Sequence, residues 1–313
     1  MLKNKSFAFV ANLKKFLLIS GILLLAGLIC TLVFGPVLDI SFQGGTKISY
    51  SFTGELDTDA VRKFADETLS KKTAVAITAG VADSSQKLIV SLADNQALNT
   101  ESIDALTKAL TEKYPDNAIE QAEVNSVNPS VGTVFFLKCL VAVLIAAVLV
   151  IVYVAIRFRK IGGVSAAITA LIALLHDVLI AFFAATVLRL SIDTNFMAVV
   201  MTLLGYSLNN TIVVFDRIRE NRRVYGSKKP LDELVDLSNN QVLARNIMTS
   251  LSTIIVILVV FVVCEITGLT SLRTLTVPLM FGLVAGSYSS ICLAPALWVK
   301  WRELRSRKQD AKQ

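Results

Sequence analysis

Six apolar runs, each near the 20 or so residues a helix needs to cross a bilayer, dominate this 313-residue chain. They fall at Phe16–Phe34, Thr133–Ile156, Val164–Leu188, Thr194–Phe215, Ile247–Ile266 and Thr274–Val299. Within hydrocarbon every backbone N–H and C=O has to be satisfied internally, so runs of this length predict spanning helices. Apolar residues make up 54% of the chain and charged ones 18%, which excludes disorder, collagen and a disulfide-dense mini-protein. An ordinary soluble enzyme is disfavoured because the apolar residues are concentrated in runs. The first run follows Lys14 and Lys15 but is too long for a signal-peptide core and lacks a small-residue cleavage site, so a retained anchor is expected.

The net charge of +7 is an orientation signal rather than a nucleic-acid one. No basic stretch alternates with aromatics as a single-strand binder would need, so no nucleic acid is expected as a partner. Twenty of the 31 Lys and Arg residues lie at the N-terminus, the Arg157–Lys160 turn, the Arg217–Arg245 loop and the tail from Lys300. The positive-inside rule puts those segments, and both termini, in the cytoplasm. The segment near Gly35–Ser130 is then outside, with fourteen acids against eight bases. Cys30, Cys139, Cys264 and Cys292 lie in or beside the apolar runs, where they read as small packing residues. Neither a disulfide framework nor a metal site is expected.

The outside segment has the periodicity of a folded domain. Thr46–Phe52 alternates as a half-buried strand, and Asp57 or Thr58 can cap a helix with an apolar face of Val61, Phe64, Thr68 and Leu69. Val75 and Ile77 mark a second strand, Asp83-Ser84-Ser85 a turn, and Leu88, Val90 and Leu92 a third strand. Thr100 can cap a helix carrying Ile103, Leu106, Leu110 and Tyr114, ended by Pro115, before an irregular strand at Ile119–Val124. The order predicts an α+β ferredoxin-like domain. The expected fold class is thus an α-helical integral membrane protein of six transmembrane helices, with this extracytoplasmic domain between helices one and two. The expected divisions are 1–35 (N-terminus and first helix), 36–130 (outside domain), 131–300 (helices two to six) and 301–313 (basic tail). Phe42-Gln43-Gly44-Gly45-Thr46 precedes the first strand, and its glycines supply a turn; a phosphate-binding loop would need a third glycine and a following helix.

Polar residues inside the spans carry the functional signal, because each costs a few kcal/mol at mid-bilayer. His176 and Asp177 lie about 20 Å along span three, and His176 is the only histidine, which rules out a His-based metal cluster. No H-E-x-x-H motif and no pair of intramembrane aspartates is present, so a membrane protease is disfavoured. In span four Ser207, Asn210 and Thr211 share one helical face, followed by Asp216-Arg217-Ile218-Arg219-Glu220. Arg245 opens span five, either as a snorkelling cytoplasmic residue or as a partner reaching Asn210 or Asp216. Gly205 and Ser207 in span four and Gly282, Gly286 and Ser290 in span six are small residues suited to close helix contact.

Together these residues resemble the SecF family, the smaller half of the bacterial SecD–SecF complex that assists protein secretion. The resemblance rests on Phe42-Gln43-Gly44-Gly45-Thr46, Leu175-His176-Asp177, Gly205–Asn210, Val214–Asn221, and Arg245 before Thr249-Ser250. It implies the resistance–nodulation–division superfamily, the bacterial cytoplasmic membrane, SecD as partner, contact with the SecYEG channel and the translocating preprotein, and lipid around the bundle. It also implies use of the proton-motive force, with no cofactor and no enzymatic activity. The family's span-four motif often has Asp at the second position of the Asn209-Asn210 pair, read as a proton site facing the Arg that matches Arg245. This chain has Asn210, so either the proton path runs through another carboxylate (Asp177, or one on SecD), or coupling is reduced or uses another ion. His176, Asp177, Asn210, Asp216 and Arg245 are the candidate path residues. The alternatives are an efflux component of the same superfamily, a membrane enzyme and a passive scaffold subunit.

Overall fold

The computed structural model describes residues 7–79, 86–92, 98–226, 228–267 and 272–310. In chain order its elements are α1 (Leu13–Phe34), β1 (Val37–Leu38), α2 (Ile40–Gln43), β2 (Gly45–Phe52), α3 (Thr58–Leu69), β3 (Ala74–Ala79), β4 (Gln86–Leu92), α4 (Thr100–Lys113) and β5 (Glu120–Val127). There follow α5 (Pro129–Arg157), α6 (Gly163–Val187), β6 (Ser191–Ile192), α7 (Thr194–Tyr225), α8 (Leu231–Ile266), α9 (Arg273–Tyr288), a π-helical turn at Ser289–Leu293 and α10 (Ala294–Asp310). Among the described residues, six helical segments are long and apolar enough to span a membrane: α1, α5, α6, α7, α8 and the continuous α9–α10.

Burial divides these spans into two groups. α6, α7 and α9–α10 are half-buried or more within the chain, whereas α1, α5 and α8 expose long apolar faces. Side chains such as Leu32, Leu144, Leu149 and Val256 would meet water at a large hydrophobic cost, so those faces belong against lipid or another membrane protein. At the end of the bundle holding Phe158, the core is aromatic: the Phe215 and Trp298 rings meet edge to face at 5.8 Å, and Trp298 Nε1 donates to Ser165 Oγ.

Between α1 and α5 a four-stranded antiparallel sheet has the order β3-β4-β2-β5, and α3 and α4 supply its buried cover. Ile48, Tyr50, Phe52, Leu88 and Val90 on the sheet pack with Val61, Ala65, Ile103, Leu106 and Leu110 on the helices. Every member of this core comes from residues 48–124, so it closes without a contribution from the spans.

Several sequence expectations are corrected here. Asn99, not Thr100, caps α4, because its side chain accepts from Ser102 N–H while Thr100 is already helical. Thr68 is exposed and donates back to Phe64 O; Ala65 occupies the buried position instead, one helical step from Val61. The last strand runs to Val127 rather than stopping at Val124. The Arg217–Arg245 segment is not an open loop, since α7 continues to Tyr225 and α8 begins at Leu231. Span six is interrupted by the π turn, which apolar periodicity does not reveal. The turn expected at Asp83-Ser84-Ser85 lies outside the described residues.

Candidate ion site in the bundle

Asp177 is the one acidic side chain buried among the described residues, with no exposed surface at all. Its Oδ2 accepts from Ser207 Oγ on α7 at 2.6 Å and from Ser289 Oγ on the π turn at 2.9 Å. Its Oδ1 lies 3.0 Å from Nδ1 of the neighbouring His176. Hydroxyls continue the network: Thr211 donates to Ser290 Oγ at 3.0 Å, and Ser290 donates to the Ser207 carbonyl at 3.1 Å. All of these partners are neutral or, for His176, neutral until protonated. No Lys or Arg among the described residues is buried beside the carboxylate.

Local sequence explains how three elements converge here. Gly286 on α9 faces Ser207, and a Cβ there would sit 3.2 Å from Ser207 Cβ and 3.4 Å from Asp177 Oδ2. One turn away, a Cβ on Gly282 would overlap the Leu203 side chain. The i, i+4 glycines of α9 therefore receive the i, i+4 pair Leu203 and Ser207 of α7, as expected of small-residue helix contacts. A π turn advances each residue by less than the 100° of an α-helix, which lets consecutive serines reach the cluster. Ser289 bonds Asp177 while Ser290 bonds α7.

Gly205, by contrast, is not a packing position within this chain. It is exposed with open space where a Cβ would stand, because it sits about 200° around α7 from Ser207. Of the two readings of Arg245, snorkelling residue or partner of Asn210 or Asp216, the contact with Asn210 is not formed. Asn210 is buried and donates to Ser250 Oγ at 3.5 Å, while Arg245 is exposed. Five residues turn a helix by about 140° beyond a full turn, so the face of α8 that carries Ser250 to Asn210 carries Arg245 away. Asp216, farther along α7, is bound elsewhere: it lies 3.0 Å from Nη2 of Arg157 at the end of α5 and 2.9 Å from Arg219 Nη2, with a third of its side chain exposed. The path residues thus separate: His176 and Asp177 join Ser207, whereas Asn210, Asp216 and Arg245 each stand apart from them.

The Phe42–Thr46 motif forms the joint between the sheet and the bundle. Phe42 stacks on Phe135 of α5 and meets Phe136 at a tilt, with ring centroids 5.8 and 5.2 Å away. Gly44 has φ +83° and lies so close to Pro129 that no side chain fits, and Gly45 starts β2. Thr46 Oγ1 accepts from Leu98 N–H and contacts Ser126 Oγ. Sequence reasoning missed Ser289 as a ligand of the carboxylate. The available signal was Ser287-Tyr288-Ser289-Ser290, an unusually polar stretch inside span six.

A bundle of six spans, a folded domain inserted after the first, and an acid held by hydroxyls in the bundle core define a multi-pass membrane protein of the transport class. A family model described as protein export membrane protein SecD/SecF, C-terminal, matches residues 106–304. The chain belongs to this SecD/SecF family and is an accessory subunit of the Sec protein-export machinery. It is 35% identical over 297 residues to protein translocase subunit SecF of Alicyclobacillus acidocaldarius, covering 94% of this chain and 92% of the relative. It is 31% identical to protein translocase subunit SecDF of Bacillus subtilis over 97% of its own length and 39% of that protein. Among solved structures, a crystal structure of SecDF, a translocon-associated membrane protein from Thermus thermophilus, superposes with a TM-score of 0.80 at 27% identity, covering 96% of this chain. The chain spans 39% of that solved SecDF chain.

Proposed function

We propose that this chain works with a SecD partner in the bacterial cytoplasmic membrane, both termini cytoplasmic, and that the pair uses the proton-motive force to draw translocating preproteins outward from the SecYEG channel. The observation that carries this reading is Asp177, a buried carboxylate among hydroxyls and one imidazole, with no buried Lys or Arg beside it among the described residues. Such a group is costly in a membrane and is a functional position by default. Its role is to support ion coupling rather than catalysis, which the amide of Asn210 cannot do. We read residues 36–130 as a ferredoxin-like extracytoplasmic domain, supported by the sheet order and by two helices on one face. Residues 131–300 then form the remaining spans and 301–313 the cytoplasmic tail.

The partner reading has its own support. Arg245, Thr249 and Ser252 are exposed at i, i+4, i+7 on α8, and Thr202, Gly205 and Asn209 are exposed at i, i+3, i+7 on α7. Stripes of this polarity do not belong against lipid tails, whereas polar and small residues are what membrane helices use to pair. The long apolar faces of α1 and α5 suit lipid instead. The test combines two measurements. Arg245→Ala should weaken co-migration with a SecD protein in mild detergent while leaving the thermal unfolding of the chain alone unchanged. Export in cells holding this chain as the sole copy should fall when an uncoupler collapses the gradient. Intact co-migration of Arg245→Ala, together with uncoupler-indifferent export, would leave a passive scaffold as the better reading.

A further inference from the structure

The imidazole of His176 has one ring nitrogen bound and one free. Its side chain is 7% exposed, Nδ1 faces Asp177 Oδ1 at 3.0 Å, and Nε2 has no hydrogen-bond partner. A buried polar atom left without a partner in a native core is uncommon and calls for an explanation. Two hydroxyls already donate to Oδ2 of the carboxylate, and we assign Asp177 as the acceptor at Oδ1 as well, with Nδ1 as the donor across the 3.0 Å contact. That hydrogen bond selects the tautomer in which Nε2 carries a lone pair.

We propose that Nε2 of His176 is the proton-binding position of the bundle, with Asp177 as the positioning and charge-balancing residue. The proposal rests on the reading that export draws on a proton gradient, and it names the atom that takes the proton. A hydronium ion gives its proton to the Nε2 lone pair and leaves as water. The His176–Asp177 pair then passes from one net negative charge to none, and deprotonation reverses this. The unloaded pair is the form an apolar bundle tolerates poorly; the loaded pair is a neutral ion pair. Asn210 takes no part, since an amide does not titrate in this range.

The elements packed around the pair add no rival charge. α1 brings Ser20, which donates to Tyr288 Oη; α7 brings Ser207; the π turn brings Ser289 and Ser290. α9 brings Tyr288, whose ring centroid lies 6.1 Å from that of His176 and whose hydroxyl donates to Phe16 O. α5 packs Cys139 and Val143 with Val178, and α10 packs Ala294 and Trp298 among Ala166, Ala167 and Ala173. Among the described residues, none of these elements buries a Lys, an Arg or a second acid here.

The sole histidine of the chain makes the test direct. The full chain, labelled with 15N in the imidazole ring and placed in lipid nanodiscs, should give one pair of ring resonances. Nε2 should pass from the unprotonated to the protonated range as pH falls, and Asp177→Asn should move that transition to lower pH. Resonances that stay unprotonated across roughly pH 4–9, where an imidazole normally titrates, overturn the proposal, as does a transition unmoved by Asp177→Asn. In cells, His176→Gln keeps a donor toward Asp177 but binds no proton, and its export should lose the response to an uncoupler. Wild-type rate with an intact uncoupler response in that variant overturns the proposal. Wild-type export that ignores the uncoupler overturns the coupling reading instead, whatever the resonances do.

Discussion

Ser289 donates to Asp177 Oδ2 at 2.9 Å across 112 residues of sequence, from a π turn in the last span to the middle of the third. The bond joins the two most buried spans at the point where a charge would otherwise be unsupported. Ser207 makes the matching bond from α7, so three helices share one carboxylate. Replacing Asp177 by Leu strips the acceptor from Ser207, Ser289 and His176 together. Each buried donor left unpaired costs about 1–3 kcal/mol. The Asp177→Leu chain should therefore unfold at a distinctly lower temperature in detergent than Asp177→Asn, which keeps an acceptor oxygen. Equal melting of the two variants would mean that the hydroxyls find other partners.

Close approach of α9 to α7 makes a second expectation. A methyl on Gly282 has to displace Leu203, a side chain with no exposed surface. Overpacking of this kind costs about 1–3 kcal/mol. Leu203→Ala alone should also destabilise, by leaving a cavity. The double variant Gly282→Ala, Leu203→Ala should be more stable than the two single losses added together, because the methyl enters the space the leucine vacates. Strict additivity in thermal unfolding would show that the two residues do not meet.

The outside domain supplies a pH expectation. Tyr50 is fully buried, and burial pushes its hydroxyl above the ordinary value of 10.0, partly opposed by the hydrogen bond to Thr107. A raised value means that the folded state holds the proton longer than the unfolded one. Its contribution to stability is fully present below about pH 10 and is lost as pH rises through the raised value. A fragment spanning residues 45–128 should fold alone and lose stability steeply in that window. Tyr50→Phe should flatten the slope while costing about 1 kcal/mol at neutral pH from the lost Thr107 bond. An identical alkaline slope in both proteins would assign the effect to other groups.

Topology is checked from the two sides of the membrane. Lys108 on α4 and Lys228 between α7 and α8 are both exposed. Single cysteines at these positions, in a chain otherwise freed of cysteine, should react with a membrane-impermeant reagent from opposite sides of intact cells. Labelling of both from one side would contradict the six-span arrangement.

Much of this architecture was legible in the amino-acid order because the bilayer and the period of a strand or helix act locally. Apolar runs of fixed length locate the spans, and alternation at Ile48, Tyr50 and Phe52 locates a strand, since each follows from hydrogen bonding and burial over a few residues. The inward face of Ser207, Asn210 and Thr211 was readable from helical spacing alone, and all three are buried. What only the tertiary structure decided are the pairings between helices. Helical spacing alone did not say that Asn210 would meet Ser250 while Arg245 turned outward, because that depends on how α7 and α8 rotate against each other. Nor could it show the π turn that aims Ser289 and Ser290 inward, since a one-residue change of helical pitch leaves the apolar pattern almost unaltered. The identity of the buried charge was written in the sequence; its partners come from helices 30 and 112 residues away and were set by packing.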